Sequence, residues 1–160
     1  MQCLTELLRG KGAHVDPIAC VEDVSSELAT RRIEGFPHSI ADLVFHMNYW
    51  MSYELKRICD ERPTYPQHNS ESFPDAPQNW EQLKRDLSWF LGEFLNLAHS
   101  SPEELDRQIE SSHPADKQQS STMEAILWQM VAHNSYHTGQ IAMLRRAMSA
   151  WPPKSGSDTW

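Results

Sequence analysis

An all-α fold, a four-helix bundle with one long crossover connection, is predicted by three features of this 160-residue sequence. Apolar residues recur at helical spacing in several segments, most of them opened by a residue suited to capping a helix. No segment sustains the polar–apolar alternation of a strand. One long proline-rich stretch and one medium polar stretch separate the helical segments. The length suits one domain, read as residues 1–150, followed by a C-terminal tail, 151–160.

Met1–Arg9 is a short apolar-periodic piece broken by Gly10 and Gly12. Asp16-Pro17 reads as an N-cap followed by proline at the first helical position, opening a helix to about Asp23. Ser25–Arg32 holds a further turn, and Gly35-Phe36-Pro37 breaks the chain. Ser39 and Asp42 form a capping box. Behind it Ile40, Leu43, Val44, Met47, Trp50, Met51, Leu55 and Ile58 follow one helical face to about Asp60. Residues 61–78 contain prolines 63, 66, 74 and 77 and read as the long surface loop. Asn79 opens the third long helix, whose stripe is Trp80, Leu83, Leu87, Phe90, Leu91, Phe94, Leu95 and Ala98. Ser101-Pro102-Glu103-Glu104 starts a short helix ending near Glu110, and a polar loop follows over 111–120. Ser121, with Glu124 three residues on, caps the last helix, which runs to about Met148 before Pro152-Pro153.

The composition narrows the function classes. A net charge of −8 argues against a nucleic-acid surface, which needs clustered Lys and Arg. No apolar run approaches the roughly 20 residues of a membrane span, so no membrane partner is expected. The start lacks a basic stretch followed by an apolar one, so no signal peptide is expected. Three cysteines without a CxxC spacing make neither a disulfide framework nor a cysteine zinc site, and as free thiols they fit a cytoplasmic protein.

The chemistry rests on the histidines. At about 100° per residue, with Ile126 at zero, His133 falls near 340° and His137 near 20°, alongside Met130, Ile141 and Leu144. Both are expected in the middle of the buried stripe, one turn apart. Two imidazoles on a dry face need partners, either carbonyls and water or a divalent metal, for which neutral imidazole is a ligand. A third ligand would be needed, and His46 is the best candidate because it flanks the apolar stripe of the second long helix. His68, His99 and His113 read as surface residues, His99 as a partner for its helix C-terminus. His14 and His38 could approach a site, though no spacing demands it. His133-Asn134-Ser135-Tyr136-His137 carries Asn where the HExxH of zinc peptidases has its glutamate base, and no GxGxxG, P-loop or GxSxG is present. Asp42, one turn before His46, and Gln140, one turn before Leu144, are candidates to support the ligands. Trp50, Tyr53 and Trp128 are candidates to line a pocket.

His38-Ser39-Ile40, Leu43-Val44-Phe45-His46 and Trp50, then His133-x-x-x-His137-x-Gly139-Gln140-Ile141 and Leu144-Arg145-Arg146, resemble the DinB-like (YfiT-like) family of metal-binding four-helix bundles. The ending Trp151-Pro152-Pro153, Gly156 and Thr159-Trp160 is similar to some bacterial members. The resemblance covers nearly the whole chain in element order and is loosest in the broken first helix. It implies one divalent metal, nickel or zinc, held by His46, His133 and His137 with water completing the sphere. It also implies a homodimer. For function it implies a metal-dependent enzyme acting on a small electrophile, either a thiol-dependent S-transferase using a low-molecular-weight thiol or a hydrolase. The alternative is a non-catalytic metal-binding or stress-related protein in which the metal is structural or sensed.

Overall fold

A computed structural model describes residues 2–112 and 120–156. The loop histidine His113 and the end of the tail, with Thr159 and Trp160, lie outside the described residues. The elements run α1 (Gln2–Leu8), α2 (Ala19–Glu22), α3 (Ser26–Thr30), α4 (Ile40–Ile58), α5 (Trp80–Leu97), α6 (Pro102–Leu105), β1 (Gln108–Glu110), β2 (Ser120–Thr122) and α7 (Met123–Ala147). The expected all-α bundle is present. Its core is three long helices, α4 against α5 and α7, while the fourth wall is assembled from short pieces, with α1 on α7 and α5, and α3 on α4 and α5.

The long helices start where their caps place them. Ser39 accepts from the Asp42 N–H and Asp42 accepts from the Ser39 N–H, the reciprocal capping box. Asn79 caps α5 by accepting from the Gln82 N–H. Asp16 accepts from the N–H groups of Ile18 and Ala19 just ahead of α2, but the helix begins at Ala19 with Ile18 as its N-cap rather than at Pro17 as the Asp16-Pro17 pair implied. Leu43, Val44, Met47 and Met51 of α4 meet Leu87, Leu91 and Phe94 of α5 in one buried core. Trp80 is buried with its indole N–H donated to the Val24 carbonyl at 2.7 Å, so the largest core side chain also ties α5 to the fragmented wall.

Three local expectations are corrected. The short helix stops at Leu105 rather than near Glu110, because Gln108–Glu110 pairs antiparallel with Ser120–Thr122. Ile109 alone in that ribbon is fully buried, and so short a strand leaves too little alternation to detect. Ser121 belongs to the ribbon, and the cap of α7 is Thr122, which accepts from the Ala125 N–H. The stripe of α7 is also rotated. Asn134, Thr138 and Arg145 are buried on it, so its centre moves away from His133, which is only half-buried, while His137 stays inside. Polar residues are invisible to a search for apolar periodicity.

Gly10 sits at φ +73°, and a Cβ there would lie 2.6 Å from His14 Nδ1. The bare backbone lets His14 fold back, donating from Nδ1 to the Val15 carbonyl and accepting at Nε2 from the Ser135 hydroxyl on α7. His14 thus latches the first wall to α7 and does not join the other histidines. Beyond α7, Trp151 packs on the core and the Lys154 N–H reaches the Asp23 carboxylate. No helix among the described residues is long and apolar enough to cross a membrane.

Candidate metal centre

His46 comes from the second turn of α4, and His133 and His137 from successive turns of α7, where the two helices face each other. One ring nitrogen from each lies within 4.8 Å of the other two, a grouping that can hold a metal ion. The Nε2 atoms of His46 and His133 are 3.2 Å apart. Two nitrogens bound to one tetrahedral zinc at about 2.0–2.1 Å are themselves about 3.3 Å apart, so this separation suits a shared ion.

The outer nitrogens are committed elsewhere, which settles the proton on two of the rings. Ser72 donates its hydroxyl to the Asn69 carbonyl at 2.6 Å and therefore accepts from His46 Nδ1–H at 2.9 Å. Gln140 Oε1 accepts from His137 Nδ1–H at 2.7 Å. Both rings thereby keep the Nε2 lone pair for the shared space. His133 has only a long contact, 3.4 Å, from Nδ1 to Asn134 Oδ1. Gln140 therefore lies where it can support a ligand. Asp42 does not touch His46; its carboxylate is taken by the Ser39 cap and by Arg32 at 2.9 Å. Ser72 is a supporting residue that sequence reasoning misses. It sits in a 3₁₀ turn, Asn69–Ser72, inside the proline-rich crossover, and nothing in local spacing links it to a residue 26 positions away.

A ring stack holds His46 from the other side. Phe73 lies parallel to His46 at 4.3 Å between centroids, and His38 lies parallel to Phe73 at 3.9 Å. Burial lowers His46 and His133 to about 4, helped by the charges of the neighbouring histidines, and burial lowers His137 as well. Neutral imidazoles are what a metal needs. His68 and His99 are exposed and apart from the cluster, and His99 Nδ1 reaches the Leu95 carbonyl at the end of α5.

The lowered values carry a stability prediction for metal-free protein. An unfolded histidine titrates near 6.5, so between that pH and about 4 the unfolded chain binds more protons than the folded one. This contribution to stability is complete above about pH 6.5 and is lost as the pH falls toward 4. Urea midpoints of metal-free protein are expected to fall through that window. A flat profile between pH 7 and 4.5 would contradict the buried neutral cluster.

A cavity of about 330 Å³ opens on His133 and is lined by Trp50, Tyr53, Tyr65, Glu54, Gln129 and Met130 among others. Trp50 and Tyr53 thus line a pocket, whereas Trp128 is exposed and does not line this one. A separate apolar groove of about 520 Å³ includes His38 and Gln140 but none of the three clustered histidines. No curated protein matches the sequence. The family model described as DinB family matches residues 18–155, which takes in the whole cluster and its supporting residues, and the chain belongs to the DinB family.

Proposed function

We propose that the protein is a metal-dependent enzyme in which His46, His133 and His137 hold one divalent ion, nickel or zinc, and a small thiol or water is activated beside it. The reading is carried by one observation: one nitrogen from each of three imidazoles, two buried and one half-buried, meets in a cluster that opens through His133 onto a cavity of small-molecule size, about 330 Å³. Three neutral ligands leave a bound ion its full charge and an open position, which keeps a thiol or water deprotonated near neutral pH.

The chain's own residues divide the remaining work. Ser72 and Gln140 fix the tautomers of His46 and His137, so that neither ring must reorient when an ion arrives. Trp50, Tyr53 and Tyr65 supply an aromatic wall along the cavity against which an apolar part of a substrate can pack. With Asn134 where the zinc peptidases have glutamate, the favoured reaction is S-transfer to a small electrophile, in which sulfur bonds to the electrophilic carbon, the bond from that carbon to its leaving atom breaks, and the thiol proton ends on the leaving atom. Hydrolysis is the second form of the same reading. A cytoplasmic location fits Cys3 and Cys59 as exposed free thiols, and the family resemblance points to a homodimer.

The test is turnover by metal-free and nickel- or zinc-loaded protein with bacillithiol, mycothiol, glutathione and cysteine against epoxides, chloro-aromatics and maleyl compounds. Esters and amides run in parallel. Metal-dependent transfer by at least one pair is expected. No turnover above the metal-free control in any pair, together with a fourth protein ligand on the ion, would favour the non-catalytic metal-binding reading.

A further inference from the structure

The cavity that opens on His133 ends in an ion pair. Glu54 and Arg57, one turn apart on α4, are joined at 2.7 Å with side chains only 3% and 10% exposed. Glu54 lies two turns beyond His46, about 12 Å along the helix at 1.5 Å per residue. Between them Trp50, Tyr53 and Tyr65 meet at centroid distances of 5.3 to 5.9 Å. The chamber thus runs from a cluster of metal-type ligands, along an aromatic wall, to one buried carboxylate and one guanidinium.

Burying an ion pair stabilises a fold poorly, because desolvation consumes most of the Coulombic gain. Arg57 has a structural role. Its Nε and Nη2 donate to the Glu110 carbonyl at 3.2 and 3.0 Å and hold β1 to α4. Among the described residues Glu54 has none of comparable kind. Its neighbours Met51 and Ile58 fill the same helix with apolar side chains, and a methionine at 54 would cover the same area. Burial also pushes the Glu54 carboxyl up despite the adjacent Arg57, so the paired guanidinium does not fully compensate it. Among the described residues, three of the five Arg57 N–H donors are used. A bound group that adds a cation beside Glu54 and an anion beside Arg57 completes both.

We propose that Glu54 and Arg57 read the α-amino-acid end of a small molecule, its ammonium on Glu54 and its carboxylate on Arg57, while the rest extends toward His133. The proposal rests on the reading of this cavity as the substrate chamber and deepens it: among thiols it selects those with a free amino-acid end over those whose amine is acylated.

The experiment uses a probe without a free thiol, so that it does not depend on metal chemistry. S-methylglutathione and its N-acetyl derivative are titrated calorimetrically into metal-free full-length protein and into the Glu54→Gln variant, which preserves an acceptor for Arg57. Acetylation is expected to weaken binding to the native protein about tenfold, the scale of one charge-assisted hydrogen bond. Glu54→Gln should weaken the parent probe to the same degree and leave the acetylated one unchanged. Equal affinity of the two probes, additive losses, or no saturable binding at millimolar concentration would overturn the proposal, as would a Glu54→Gln variant that loses urea stability but no affinity. Should that variant not fold, the probe pair on the native protein and on Arg57→Lys decides alone. Intact probe discrimination without any metal-dependent turnover would remove the catalytic reading and leave this one standing.

Discussion

His137→Ala is expected to lose its metal, and with it any metal-dependent turnover, while remaining folded. His46→Ala and His133→Ala should behave alike. With two imidazoles left, no three-point site remains, and the loss must exceed the roughly 10–100-fold that removal of an outer-shell partner costs. Ser72→Ala provides that lesser step, since it frees the His46 tautomer without removing a ligand. His68→Ala and His99→Ala, exposed and remote from the cluster, should bind as the native protein does. Elemental analysis after dialysis reads the outcome, and full occupancy in His133→Ala would refute the ligand assignment.

Arg145→Ala is expected to be strongly destabilising. The side chain is buried and donates to the carbonyls of Cys20 and Ala150 at 2.7 and 2.8 Å and to the Asp23 carboxylate at 2.9 Å. Burial alone would raise the Asp23 carboxyl, but the hydrogen bonds from Arg145 and the Lys154 N–H outweigh it and hold it below the usual value. Alanine would leave a half-buried carboxylate with only the Lys154 N–H and two carbonyls without their donor, a cost of up to about 3–5 kcal/mol by the measure of broken buried ion pairs. Urea denaturation at pH 7 checks it. A loss below about 1 kcal/mol would mean that water replaces the guanidinium. Arg145→Lys keeps the charge but not the fork and should fall between.

The long helices were legible because their caps are local and their cores apolar: Ser39 with Asp42, and Asn79 with Gln82, announce α4 and α5 within four residues. The candidate ligands were legible for a related reason. His133 and His137 are one turn apart on a single helix, and His46 borders an apolar stripe. What supports the cluster was half legible. Gln140, three residues from His137, is within reach of helical spacing, but Ser72 and Phe73 arrive from a crossover with no periodicity. Asp42 looked available because a capping carboxylate and a supporting one are the same residue type; the capping box with Ser39 was legible, and the structure adds that Arg32 takes up the carboxylate as well. Glu54 escaped notice because a lone acidic residue on a helix ordinarily faces water, and its burial depends on Arg57, β1 and the cavity together. The ribbon of β1 and β2 escaped because three residues a side carry too little pattern.

The seating of the crossover against His46 would make the loop and a bound ion thermodynamic partners. Ser72 holds the ring by its outer nitrogen and Phe73 lies flat against it, so the arrangement of 69–73 that orients His46 is also the one an ion selects. Linkage of this kind is reciprocal: whatever free energy the ordered turn adds to ion affinity, the ion returns as resistance of that turn to local opening. The crossover would then report occupancy of the cluster to the exterior of the bundle. A protease or a partner that meets residues 61–78 encounters a different population of the same chain with the ion and without it.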